Sequence, residues 1–166
     1  MLRFVLAAAL LVVASGARAQ SVPTLNYTDL WWNPAESGQG LSLSQSTTSH
    51  QLFALWYTYD PRVAETDTTL AGDFKPLWLS MPSGTWTTPT TFTGAVYATV
   101  GTPFALAWNA ANYAVQQVGT FTFSFTSADT ATFSYDIAPP AGLPAGNPAA
   151  NLPAFSGQRA IQRLSF

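Results

Sequence analysis

Apolar and polar positions along this chain divide it into a short N-terminal apolar run and a long body whose side chains alternate with a period of two. The alternation is cleanest between residues 121 and 137. Phe121, Phe123 and Phe125 interleave with Thr122, Ser124 and Thr126, and Phe133, Tyr135 and Ile137 with Thr132, Ser134 and Asp136. Successive strand residues point to opposite faces, so each run has one core face and one wet face, and Ser127-Ala128-Asp129 joins them as a hairpin. The same reading predicts strands at Asn26 to Trp32, Gly40 to Ser46, Gln51 to Tyr59, Pro76 to Met81, Gly84 to Thr88, Phe92 to Thr99, Val115 to Thr126, Thr130 to Ile137 and Gln158 to Phe166. Helical periodicity is nearly absent from this body, which is rich in Thr, Val, Phe, Tyr and Trp and broken at short intervals by Gly, Pro and Asn.

Short strands in sequential hairpins, with no helix to cover a sheet, predict a single all-β domain. The expected form is an antiparallel, mostly up-and-down β-barrel of about eight strands, closed by the C-terminal segment against an early strand; a two-sheet β-sandwich is the alternative. Asp60 to Lys75 and the proline-rich Ala138 to Ala154 read as loops. Gln51 to Tyr59 is apolar on both faces, as are the residues around Trp78. Pairing of those two strands is expected to set Trp56 and Trp78 side by side, opposite the leucine stripes, on a face covered by lumen, partner or ligand.

The N-terminal run changes the compartment. Arg3 precedes the apolar Phe4 to Ala14, which is too short to span a bilayer, and Ala17-Arg18-Ala19 has the small-x-small form of a cleavage site. Residues 1–19 are therefore expected to be a signal peptide and 20–166 the exported domain, periplasmic or extracellular. Charge narrows the partners. Of six Lys and Arg, Arg3 and Arg18 leave with the leader, against eight Asp and Glu. Without a basic cluster, neither nucleic acid nor an anionic membrane surface is an expected partner, and no later stretch reads as a membrane span. The absence of cysteine removes disulfides and thiolate metal sites.

Candidate chemistry is sparse. His50 is the only histidine, it falls in a predicted turn, and no G-x-S-x-G elbow is present. Glu36 and Asp60 are the one carboxylate pair close to aromatic segments, which keeps a carboxylate-dependent glycoside hydrolase as a minor reading. Asp60, Glu65, Asp67 and Asp73 lack the spacing of a calcium loop, and Gly38 and Gly40 precede a strand rather than a helix, so they suit a tight backbone approach and not a phosphate cradle. No catalytic residue, metal ligand or cofactor is assigned. The stronger signal is aromatic: Trp31, Trp32, Trp56, Trp78, Trp86 and Trp108, with Tyr57, Tyr59 and Tyr97. Most such rings fill cores, but an indole offers a flat face and an N–H suited to a concave ligand site.

Four motifs occur in order: W-W-N-P-A-E-S-G-Q-G at 31–40, F-A-L-W-Y-T-Y-D at 53–60, P-L-W-L at 76–79 and T-G-A-V-Y-A-T at 93–99 followed by G-T-P-F. Together they resemble an uncharacterised Trp-rich all-β domain of exported and surface proteins of proteobacteria, over nearly the whole body of the chain. The resemblance implies no activity and no catalytic residue. Two positions depart from its pattern: Gln39 stands where a tryptophan is common, and Asp60 to Lys75 is longer than the usual turn. The expected function is a non-enzymatic exported barrel binding a small molecule or glycan through Trp31, Trp32, Asn33, Glu36, Trp56, Trp78 and Tyr97. A structural or adhesive surface domain, self-associating or joined to another surface protein, is the alternative. Trp31 and Trp32, being adjacent in a strand, face opposite ways, so at most one lines a pocket.

Overall fold

The computed structural model describes residues 21–165. The expected signal peptide and Phe166 lie outside the described residues. The strands are β1 (Asp29–Trp32), β2 (Gly40–Gln45), β3 (Leu52–Tyr59), β4 (Pro76–Met81), β5 (Thr85–Thr88), β6 (Thr91–Val100), β7 (Ala114–Phe125), β8 (Thr130–Ile137) and β9 (Phe155–Arg163). All pairings are antiparallel. β1 pairs with β9, and β4 pairs with β6 at Leu79–Ala98 and Ser80–Tyr97, which closes an eight-strand barrel and excludes the sandwich. β5 is the extra strand. Pro82 has no N–H to continue a ladder, the chain breaks there, and β5 then takes up pairing with the first half of β6 while β4 holds the second half.

All nine predicted strands are found, Pro76–Met81 and Thr130–Ile137 with the expected ends and the others with ends shifted by one to three residues. β1 begins at Asp29, three residues after the expected Asn26, and β9 moves at both ends, beginning at Phe155, three residues before the expected Gln158, and stopping at Arg163. The sequence pattern missed Phe155 to Gly157 because Gly157 leaves the alternation blank at the position opposite Tyr135.

The up-and-down order places four long connections, residues 33–39, 60–75, 101–113 and 138–154, at one end of the barrel. The turns 46–51 and 126–129 lie at the other. Residues 21–28 close that second end. Tyr27 stacks on Phe125 with ring centroids 3.6 Å apart, and its backbone N–H donates to Oε1 of the buried Gln45 at 3.0 Å. Trp31 Nε1 donates to Tyr27 O at 3.0 Å and Trp86 Nε1 to His50 O at 2.7 Å, so both indoles are buried with their polar atoms satisfied.

Side chains fill the lumen. Leu41, Leu43, Leu52, Ala54, Leu77, Leu79, Met81, Val96, Phe121, Phe123, Phe125 and Phe133 all face inward and are buried. Trp56 belongs to this set, and here the sequence expectation is corrected. The register pairs Trp56 with Leu79 and Tyr57 with Trp78, so Trp56 lies on the inner face with the leucine stripe. Trp78 lies on the outer face, 65% exposed. Cross-strand partners share a face, and one position of register decides which residues those are.

Candidate functional site

The barrel wall is incomplete at one seam. β1 is four residues long and pairs with β9 only at Trp31–Arg163 and Trp32–Gln162. The local sequence explains the stop: Pro34 cannot donate to a ladder, Asn33 Oδ1 accepts the Ala35 N–H at 3.0 Å, and Glu36 N donates to Asn33 O at 2.9 Å. The chain turns away while β9 continues upward with no strand on that side among the described residues. What remains is a slot of about 200 Å³ in the upper wall, between the 33–39 turn and β9.

Aromatic rings form its floor. Trp56, Phe133, Tyr135 and Phe155 line it, and the Trp56 ring sits 4.8 Å from Tyr135, 5.3 Å from Phe133 and 6.3 Å from Phe155, centroid to centroid. Gly157 makes room for this arrangement, since a Cβ there would come within 2.6 Å of Tyr135 Oη. Its cross-strand partner is Tyr135, whose ring covers the missing side chain.

Polar groups form the rim. Arg159 faces the slot because its partner on β8 is the inward Phe133, and its Nε donates to Glu36 Oε1 at 2.7 Å across the gap. Both side chains remain partly exposed. Gln39 and Thr58 complete the rim, with Thr58 Oγ1 donating to Gln39 Oε1 at 2.7 Å. The two glycines beside Gln39 have a specific task. A Cβ on Gly40 would lie 2.9 Å from Tyr57 Oη and one on Gly38 2.7 Å from Tyr59 Oη, so the tyrosine pair packs over the glycine pair and fixes the turn. Gly38 also has φ +90°, which favours glycine.

Of the seven residues expected to bind, the structure brings Trp32, Asn33, Glu36 and Trp56 to the slot. Trp31 is instead buried at the closed end of the barrel, with the Arg163 guanidinium 5.2 Å from its ring centroid. Trp78 and Tyr97 lie on the outer wall, since Tyr97 pairs with the outward Ser80 and not with a lumen residue. Sequence reading left out Arg159, Thr58, Phe133, Tyr135 and Phe155 from the site. A signal for Arg159 was present: it stands two positions before Ile161, the large apolar residue inside that strand, and so shares its face.

The carboxylates are held apart. Asp60 does not line the slot; its oxygens accept from Arg62 Nε, both at 2.9 Å, and from the Arg62 N–H at 3.0 Å. Partial burial works against its ionisation, but those hydrogen bonds and the guanidinium charge outweigh it and hold the carboxyl below its usual range. Arg62 Nη1 also donates to Ala150 O at 3.0 Å, tying two loops of the open end together. Glu36 and Asp60 thus serve different arginines, whereas glycoside hydrolysis needs two carboxyl groups facing one sugar. Asp73 Oδ2 accepts the Leu70 N–H at 2.9 Å and shapes its own loop. Set against known proteins, the chain matches no protein-family model, no curated protein and no solved structure.

Proposed function

We propose that this protein is an exported binding domain whose slot takes a single neutral, hydroxyl-rich ring, either a terminal sugar of a glycan or a small molecule of that size. The observation that carries the reading is an aromatic floor rimmed by an ion pair, Glu36 with Arg159, in a cavity of about 200 Å³. Drug-sized ligands occupy roughly 300–1,000 Å³, so one ring fits and an extended chain does not. The rim favours a neutral partner. A hydroxyl donates to Glu36 and accepts from Arg159 at once, whereas a charged ligand is opposed by one of the two. Trp32 and Tyr135 supply flat faces beside it, and Gln39 a further donor. The motifs that resemble the exported Trp-rich domain contribute both Glu36 and Trp56.

The second reading, a structural or adhesive surface domain, has the exposed outer residues Phe53, Tyr59 and Trp78 in its favour. Titration with a panel of monosaccharides and short cell-wall glycans, followed by tryptophan fluorescence and thermal shift, separates the two. Binding predicts a saturable response that Gln39→Trp removes by filling the slot. A flat response across the panel would leave the adhesive reading standing.

A further inference from the structure

No charged or histidine residue occurs between Lys75 and Asp129, a stretch that includes β4 to β7 and the 101–113 connection. That connection is a closed loop rather than a slack one. Thr102 Oγ1 donates to Asn109 O at 3.1 Å, accepts the Asn109 N–H at 3.0 Å and accepts Asn112 Nδ2 at 3.3 Å, and a turn from Pro103 O to Leu106 N at 2.9 Å shapes the tip. The polar groups are thereby used at the base. The apolar ones are turned outward: Phe104 is fully exposed, and Leu106, Trp108 and Tyr113 are more than half exposed.

The loop is also layered. Trp108 lies back against Gly101, 3.5 Å from where its Cβ would be, and 6.1 Å from Tyr113, whereas Phe104 and Leu106 belong to the tip turn. Purely apolar side chains therefore stand beyond an indole and a phenol. That is the order a bilayer interface sorts, with acyl chains taking the apolar tip and the headgroup level taking Trp and Tyr. A protein interface of standard size covers about 800 Å² on each partner, and a spike of two or three side chains falls short of it. Charge complementarity points the same way, because inserting a loop without ionised groups meets no desolvation of charge.

We infer that the 101–113 loop is a membrane-surface contact that dips Phe104 and Leu106 into a neutral phospholipid bilayer and holds the open end of the barrel toward it. The neighbouring 60–75 loop carries Asp60, Glu65, Asp67 and Asp73 against Arg62 and Lys75, a negative balance, so anionic lipid is not the preferred surface. The test is co-sedimentation of the protein with phosphatidylcholine vesicles. The parent is expected to pellet with the vesicles, adding phosphatidylglycerol is expected not to raise the bound fraction, and Phe104→Ser with Leu106→Ser is expected to lower vesicle partitioning at least tenfold. Trp78→Ser, which removes an equally exposed indole from the barrel wall, should change it less than twofold. Leu106→Asp alone keeps the test valid if the double variant is unstable. Failure of the parent to bind, or undiminished binding by the loop variants, overturns the inference. So does a concentration-dependent self-association in sedimentation velocity that the loop variants abolish while no vesicle binding is seen.

Discussion

Replacing Trp56 and Trp78 separately by alanine tests the inner and outer faces of the barrel against each other. Trp56 is buried in contact with Phe121, Phe133, Tyr135 and Phe155, with ring centroids between 4.8 and 6.3 Å. Truncating a buried aromatic to alanine costs about 3–5 kcal/mol, the transfer term plus the cavity left behind. Domains of this size are stable by roughly 5–15 kcal/mol, so the variant should fold but with much of its margin gone. Trp78→Ala removes a ring that is mostly in water, and surface changes of that kind stay within about 0.5 kcal/mol. Urea unfolding followed by far-UV circular dichroism measures both. With a slope near 2 kcal/mol/M, Trp56→Ala lowers the midpoint by about 2 M and Trp78→Ala by less than about 0.3 M. Equal shifts in the two variants, at unchanged slope, would refute the register that puts one indole inside and one outside. Trp56→Phe keeps edge-to-face contacts and should cost about 1–2 kcal/mol, on the scale of one or two buried methylenes.

Further outcomes follow from the slot and its surroundings. Arg159→Gln is expected to weaken sugar binding by about tenfold, the loss of roughly 1.4 kcal/mol from one charge-assisted hydrogen bond, with the thermal midpoint nearly unchanged because the Glu36 pair is partly exposed; calorimetric titration checks it. Gly157→Val should displace Tyr135 from its place over the strand, costing about 1–3 kcal/mol as overpacking and abolishing binding together, read by unfolding and near-UV circular dichroism. Asp60 and Asp29 both have carboxyl pKa values below the usual range, Asp29 chiefly through the Leu30 N–H and Arg163. Their stabilisation is complete above the unfolded carboxylate value of about 3.9 and is lost as pH falls through the lower folded values. Thermal midpoints measured from pH 7 to pH 2 should therefore drop on the acid side, and Asp60→Asn should make that drop shallower.

Much of the barrel was legible because period-two alternation is a local property. The hairpin of Phe121 to Ile137 could be read from residue type alone, and so could the breaks at Asn33-Pro34 and in the proline-rich 138–154 segment. The prediction that Trp31 and Trp32 diverge rested on strand geometry, and the one is buried while the other reaches the slot. The expected pairings of the C-terminal segment with β1 and of β3 with β4 are present, and what failed was the placement of side chains across the second of them. Trp56 and Trp78 looked like neighbours, yet the β3–β4 register puts Leu79 opposite Trp56, and no local pattern specifies a register when a strand is apolar on both faces. Arg159 was absent from the residues expected at the site, because its place beside Glu36 depends on which residues of β8 and β9 pair.

By itself, then, the W-W-N-P-A-E-S-G-Q-G stretch determined that a strand ends early, that its two indoles part company, and that a glycine-bearing turn carries one carboxylate. Only the closed barrel decided what those features make. Because β1 stops at Trp32 while β9 runs on, the wall opens there, and because β9 alternates through Ile161, an arginine stands opposite that carboxylate. Glu36 and Arg159 are 123 positions apart in the chain, and their meeting depends on the register in which β9 joins β1 and β8, which hydrophobic periodicity does not encode.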